Sequence, residues 1–102
     1  MFPLIEQHRQ ELADLCRRFG VTRLEVFGSA ATDDFRPQTS DLDFLVDFRQ
    51  VSDMNAADQY FGLLEGLQGL FGCRIDLVEA AAMRNPFFIR RVNESRRAVY
   101  AA

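Results

Sequence analysis

The sequence predicts an α/β (α+β) protein, and three observations support this. Segments with apolar residues at helical spacing alternate with short segments in which every second residue is apolar. Glycine or proline stands near most of the boundaries between these segments. The 102 residues are 48% hydrophobic, which suits one folded domain with its own core. We therefore expect residues 1–102 to form a single domain.

The first forty residues contain a predicted helix, a strand and a connecting segment. Apolar residues recur at helical spacing over residues 3–19, and Gly20 ends the pattern. Val21–Phe27 is rich in strand-forming residues and is flanked by glycine on both sides, which predicts the first strand. For residues 30–40 we expect a loop, or a short helix that unwinds at Arg36–Pro37, because a proline restricts the residue before it to extended conformations.

The second half continues with a strand over residues 41–48. The remaining predicted elements are a helix from Ser52 or Asp53 to Gly72, a strand over 73–79, a helix over 84–97, and a terminal strand or extended tail at Val99–Tyr100. The first of these helices contains Gly62, Gly66 and Gly69, each of which costs about 1 kcal/mol relative to alanine. We expect that close packing against another element or a partner chain compensates for this cost.

The charges are unevenly distributed along the chain. Five aspartates fall within residues 33–47, and five arginines fall within residues 84–97, where Glu94 is the single acid. The formal charge of −3 argues against direct nucleic-acid binding as the main activity. The basic tail is either a solvated helix face, an interface for an acidic partner, or a source of arginines that reach nucleotide phosphates.

Several features favour a cytoplasmic location. Cys16 and Cys73 lack the spacing of metal ligands, so we expect reduced thiols in the core. No apolar stretch is long enough to cross a bilayer, and Glu6 and Glu11 stand where a signal peptide would be apolar. An oligomer or hetero-oligomer is compatible with the sequence.

Asp41 and Asp43 open the strand over residues 41–48. Residues two apart on a strand point to the same side and lie about 6 to 7 Å apart. Two carboxylates placed in this way can bind one Mg²⁺ together with substrate phosphates. An alternative is a helix capping box formed by Ser40 and Asp43, although the aromatic and branched residues that follow favour a strand.

Gly28–Ser29 follows the first predicted strand. A strand that ends in this pair lets the backbone approach a phosphate and supplies amide and hydroxyl donors. By itself the pair is more often an ordinary turn. Its combination with the aspartates of the next strand makes a nucleotide-phosphate site the better interpretation.

These motifs resemble those of the nucleotidyltransferase superfamily. Gly28–Ser29 is followed after eleven residues by Asp41-x-Asp43, and Asp76 lies on a strand further along the chain. The Phe-Gly-Ser opening, the Thr-Ser-Asp-Leu-Asp-Phe-Leu-Val run and the Tyr-Ala-Ala ending resemble the minimal nucleotidyltransferases (MNT), antitoxins paired with HEPN-domain toxins. The resemblance implies a nucleotidyltransferase fold, a small mixed β-sheet with helices packed mainly on one face.

The resemblance also implies an activity and a set of site residues. The reaction would be Mg²⁺-dependent transfer of AMP from ATP to a tyrosine of the HEPN toxin. The residues implied for catalysis and metal binding are Asp41, Asp43 and Asp76, and those implied for nucleotide binding are Gly28, Ser29 and Ser40. Asp76 would complete the metal site and accept the proton of the acceptor hydroxyl. A charged acid buried in a short apolar strand needs a partner such as a metal ion or an arginine.

Alternatives stay open at this point. Asp76 could pair with Arg74 or face solvent at a sheet edge. The segment after Ser29 contains no glycine and no early basic residue, so Arg36 is a candidate for the missing positive charge. That departure favours an antitoxin that neutralises its toxin by contact, and a third alternative is nucleotidyl transfer to a small molecule.

Overall fold

Four strands form one mixed sheet in the computed structural model, which describes residues 3–31 and 41–102. The strands are β1 (Val21–Phe27), β2 (Leu42–Phe48), β3 (Ile75–Glu79) and β4 (Arg97–Ala101). They lie in the order β3-β2-β1-β4. β1 pairs antiparallel with β2 and β4, whereas β2 and β3 run parallel. The predicted mixed sheet is confirmed.

Helices cover the two faces of the sheet unequally. The helices are α1 (Pro3–Gln7), α2 (Arg9–Arg18), α3 (Ala56–Phe71) and α4 (Pro86–Ser95), and short 3₁₀ turns occupy Gly28–Ala31 and Ala80–Ala82. α2 and α3 pack against each other and against one face, which we call the core face. α4 packs over β1 on the opposite face, which we call the α4 face.

The core face contains most of the buried apolar side chains. Alternate residues of β2, Leu42, Phe44 and Val46, point to this side and are buried against the helices. Leu12 and Cys16 of α2, and Leu63 and Leu67 of α3, are fully buried opposite the sheet. The period of two in β2 therefore confirms the predicted strand, and the capping-box alternative for Asp43 is wrong.

The α4 face has a much smaller apolar cluster. Phe27 of β1, Leu45 of β2 and Val92 of α4 are its buried members. The ring of Phe88 packs edge-on against Phe27, with 5.9 Å between the ring centroids. This cluster attaches α4 to the sheet. Polar residues of the α4 face lie next to the cluster and are not part of it.

The glycines of α3 explain how closely it approaches α2. A Cβ at Gly62 would lie 2.3 Å from Phe19 Cε1, and one at Gly66 would lie 2.5 Å from Leu15 Cδ2. The two glycines therefore leave space for Leu15, which lies in α2, and for Phe19, which directly follows it. A Cβ at Gly69 would meet no atom within 4 Å. The expected close packing is confirmed for two of the three glycines, and the neighbour is an element of this chain.

Two predicted helix boundaries in the first part of the chain are wrong. The helix predicted over residues 3–19 is divided at His8, whose Nδ1 atom lies 2.7 Å from Glu11 Oε2 and whose ring packs edge-on against Phe71. The next helix is capped by Asn55 and not by Ser52 or Asp53, because Asn55 Oδ1 accepts a 2.8 Å hydrogen bond from the Asp58 amide. Its end at Gly72, which adopts a left-handed conformation, is as predicted.

The remaining boundaries differ from the predictions by two residues at most. β3 begins at Ile75, so Cys73 and Arg74 precede the strand. α4 ends at Ser95, and the terminal segment is a strand that pairs with β1 and not a tail. Asn85 caps α4 by accepting hydrogen bonds from the amides of the first turn.

Both cysteines are free thiols. Cys16 is buried in the core, and burial raises its pKa to about 12. Cys73 is only partly buried. Among residues 3–31 and 41–102, no helix combines the length and apolar character that crossing a bilayer requires.

Candidate functional site

Asp43 and Asp76 are direct neighbours in the sheet. The parallel pairing of β2 with β3 sets these two residues opposite each other, on strands about 4.8 Å apart, and both side chains point to the α4 face. Asp43 is partly buried and Asp76 is exposed. The expectation of a buried Asp76 is therefore wrong, because β3 is an edge strand and solvent reaches its outer side.

Asp41 lies just before β2 and has a different partner. Its Oδ1 atom accepts a 3.0 Å hydrogen bond from Arg74 Nε, and both side chains are largely exposed. The alternative of an ion pair between Asp76 and Arg74 is therefore wrong, since Arg74 pairs with Asp41. The alternative of Asp76 as a solvent-facing edge residue agrees with its exposure, and it does not conflict with its position beside Asp43.

The electrostatics of Asp43 show that the acidic side chains act on one another. Burial, followed by the negative charges of Asp76 and Asp41, raises the pKa of Asp43 to about 6. A cation placed between the carboxylates would relieve this repulsion. Mg²⁺ is commonly held by one or two carboxylates together with waters and substrate phosphates, so the pair Asp43 and Asp76 fits it.

Asp41 does not complete a three-ligand group in this arrangement. Within the described parts of the chain, no three His, Cys, Asp or Glu side chains stand close enough together to hold a metal ion. Two of the three carboxylates expected to bind metal are thus side by side, and Arg74 engages the third. Asp41 could join them only if its carboxylate moved closer to the pair.

Gly28 joins β1 to the site. Its φ of +68° lies in the left-handed region, and a Cβ there would lie 2.7 Å from Asp43 Oδ2. A side chain at position 28 would therefore displace the carboxylate. The Gly28 amide donates a 2.8 Å hydrogen bond to Ser95 Oγ at the end of α4.

The other residues implied for nucleotide binding are placed less fully. Ser29 is partly buried within the 3₁₀ turn that follows β1. Ser40 and Arg36 lie outside the described residues. The structure thus brings Gly28, Asp43 and Asp76 together and sets Ser29 next to them in the chain.

A cleft of about 190 Å³ lies between the sheet and α4. Its sheet wall includes Gly28, Asp43 and Asp76, and its helix wall is formed by Phe88, Arg91 and Val92. Arg91 and Phe88 were not singled out from the sequence. Their i, i+3, i+4 spacing with Val92 is the signal that could have identified one helix face.

An ion pair between a buried carboxylate and a partly exposed arginine fixes the end of α4 against β1. Arg96 donates from Nη2 and Nε to the two carboxylate oxygens of Glu25, at 2.5 and 3.1 Å. Glu25 is 4% exposed, and the hydrogen bond from Arg96 lowers its pKa although burial opposes this. Neither residue was identified from the sequence, where an acid between apolar neighbours in β1 was the available signal.

Comparison with known proteins settles the family. Residues 6–99 match the nucleotidyltransferase domain family. The chain belongs to this family. It is 33% identical over 82 residues to the protein adenylyltransferase MntA of Thermococcus cleftensis, a match that covers 80% of this chain and 76% of that protein.

Solved structures agree with this assignment. A protein described as a candidate minimal nucleotidyltransferase superposes on this nucleotidyltransferase domain with a TM-score of 0.73 at 30% identity, covering 95% of each chain. A chain from the complex of a tri-AMPylated Shewanella oneidensis HEPN toxin with an MNT antitoxin gives a TM-score of 0.64 at 14% identity, covering 96% of this chain and 73% of that one. The second likeness concerns the fold alone. The resemblance predicted from the motifs is confirmed.

Proposed function

We propose that this nucleotidyltransferase domain transfers AMP from ATP, in a Mg²⁺-dependent reaction, to a tyrosine hydroxyl of a partner HEPN toxin and thereby neutralises it. The observation that carries the proposal is the pairing of Asp43 with Asp76 in a cleft beside Gly28. Support comes from a relative named as a protein adenylyltransferase and from a fold shared with a complex that contains an AMPylated HEPN toxin.

The acidic residues would hold the metal. Asp43 and Asp76 supply adjacent carboxylate oxygens, and Asp41 would add a third after releasing Arg74. Bound Mg²⁺ would neutralise charge on the triphosphate and on the departing pyrophosphate. The raised pKa of Asp43 reflects the repulsion that a cation would remove.

The transfer requires one bond to form and one to break. The acceptor oxygen would attack the α-phosphorus of ATP, and the bond between that phosphorus and the bridging oxygen of the β-phosphate would break. Asp76, exposed beside Asp43, would take the hydroxyl proton. Ser29 and Ser40 would orient the phosphates, and the missing side chain of Gly28 would leave room for the Asp43 carboxylate.

Intact-mass measurement of the toxin tests the proposal. The purified chain is incubated with a HEPN-domain toxin, ATP and Mg²⁺, and the intact mass of the toxin is measured by mass spectrometry. We expect the toxin to gain the mass of one or more AMP groups, and we expect no gain with Asp43→Asn or with a chelator. An unchanged toxin mass under every metal and nucleotide condition would rule out the transfer reaction.

A second candidate function is neutralisation by contact without transfer. Two observations favour it, namely the Gly28 amide that donates to Ser95 and the Asp41 carboxylate that pairs with Arg74. In a site open to nucleotide, this amide would be free to bind phosphate and this carboxylate would be free to bind the metal. This alternative requires that Asp43→Asn still binds the toxin and inhibits it as fully as the natural chain does, which a toxin activity assay would measure.

We also infer that the protein acts in the cytoplasm as one domain. The two free thiols suit a reducing compartment. Cys16 is buried, so the protein is isolated from its native host without reductant and denatured before alkylation. Alkylation of both cysteines would support this location, and a disulfide would contradict it.

A further inference from the structure

Arg91 occupies a position on α4 that its neighbours fix. Val92 is 1% exposed and anchors the helix in the small cluster of the α4 face. Phe88, one turn earlier, packs edge-on against Phe27 of β1. Arg91 itself is exposed and forms part of the cleft wall opposite Asp43. The backbone that carries this guanidinium is therefore held in place while the side chain faces the cleft.

The cleft separates unlike charges that do not pair directly. Asp43 and Asp76 stand on the sheet wall, and Arg91 stands on the helix wall. Arg91 forms no ion pair with any other residue in the described parts of the chain. A ligand that carries anionic groups on one side and a divalent cation on the other would complete both walls at once.

The main-chain donor expected for phosphate is already engaged. The Gly28 amide donates to Ser95 Oγ, so it is not directed into the cleft. The sequence from residue 30 to residue 40 contains no glycine. Arg91 is the basic residue among those that line the described cleft, so it is the candidate there for a positively charged phosphate ligand.

We propose that Arg91 binds the β- and γ-phosphates of the donor nucleotide, the part that leaves as pyrophosphate. This inference rests on the proposed nucleotidyl transfer. A guanidinium offers paired N–H donors that match two phosphate oxygens, and its charge persists at all relevant pH values. Arg91 would thus supply from α4 the positive charge that the segment after Gly28–Ser29 lacks in its first residues.

Nucleotide binding measured by titration calorimetry tests this role. ATP and AMP are each titrated, with Mg²⁺ present, into the natural chain, Arg91→Gln, Arg91→Lys and Arg90→Gln. Arg90 is the matched control, because it is the adjacent exposed arginine on α4 and does not line the cleft. Circular dichroism and thermal unfolding of each variant show whether the fold is kept. We expect that it is, because both positions are exposed.

We expect Arg91→Gln to weaken ATP binding at least about tenfold, since a charge-assisted hydrogen bond contributes that much or more. AMP binding should change far less, because AMP lacks the β- and γ-phosphates. Arg91→Lys should recover part of the loss, and Arg90→Gln should match the natural chain.

Two results would contradict the inference and can be told apart from failure of the proposed function. Equal ATP affinity for Arg91→Gln and Arg90→Gln would overturn the role of Arg91 while leaving nucleotidyl transfer intact. An equal loss for ATP and AMP would also overturn it, because the β- and γ-phosphates would then not be the groups bound. If the natural chain itself bound no ATP and left the toxin mass unchanged, the proposed function would fail first.

Discussion

The two faces of the sheet differ in what their side chains contact, although β1, β2 and β3 contribute residues to both. On the core face, Phe44 and its neighbours are packed between the strands and two helices. On the α4 face, α4 covers β1, and Asp43 lies beside it in an open cleft. Adjacent residues of β2 thus have opposite environments, one apolar and dry, the other acidic and reachable by solvent.

This difference separates stability from chemistry within one strand. Burial of apolar side chains on the core face supplies most of the favourable free energy of folding. The acidic residues of the α4 face repel one another, which is unfavourable for folding but is suited to binding a cation. The strand tolerates this repulsion because its other face is strongly stabilised.

The largest expected contrast is between Phe44→Ala and Asp43→Asn. Phe44 is fully buried, so its truncation should lower the free energy of unfolding by about 3–5 kcal/mol. Asp43→Asn should leave stability at neutral pH equal to or above that of the natural chain, because it removes a repelled charge. Urea unfolding of both variants measures this. A large loss of stability in Asp43→Asn would mean that the two faces do not divide the roles in this way.

The next effect concerns the buried charge on the α4 face. Glu25→Gln removes the ion pairs with Arg96 and Arg23 and should cost about 1–3 kcal/mol at pH 7. The pKa of Glu25 is lowered from 4.5 in the folded protein, so its contribution is present above pH 4.5 and disappears as the pH falls through the lower folded value. Urea unfolding of both proteins from pH 7 to about pH 3 should show the difference in the free energy of unfolding narrowing below about pH 4.5. A difference independent of pH would contradict the ion-pair explanation.

A smaller effect is expected where α3 approaches α2 on the core face. Gly62→Ala should destabilise the protein by about 1–2 kcal/mol, because the added methyl group collides with the Phe19 ring. The free-energy cost of this collision exceeds the gain in helix propensity from glycine to alanine. Gly69→Ala is the matched control, since that site is open, and it should stabilise by up to about 1 kcal/mol. Thermal unfolding distinguishes them, and equal shifts in the same direction would show that α3 does not need glycine for this contact.

The smallest effect should come from the exposed ion pair of Arg74 with Asp41. Its side chains are 84% and 45% exposed, so water screens their attraction. Arg74→Ala should therefore change the free energy of unfolding by less than about 1 kcal/mol, well below the change for Glu25→Gln. Chemical denaturation of the two variants in parallel compares them. A loss from Arg74→Ala as large as that from Glu25→Gln would show that exposure does not distinguish the two pairs.

Much of the site was predictable because its signals are local in the sequence. The alternation in β2 placed Asp43 on the side opposite Phe44, and the Gly-Ser and Asp-x-Asp motifs indicated the family. The boundaries of α2 and α3 were less predictable. His8 and Asn55 fix them through side-chain contacts that compete with equally plausible caps nearby.

The sequence by itself indicated most of the strands and helices, the family, and the Gly-Ser and Asp-x-Asp motifs of the candidate site, since each of these patterns depends on residues a few positions apart. Only the tertiary structure decided that Asp76 faces Asp43, that Ser95 engages the Gly28 amide and that Arg91 lines the same cleft. These depend on the order and register of strands and on where α4 settles. Such long-range pairings follow from the packing of the whole chain, which no local period encodes.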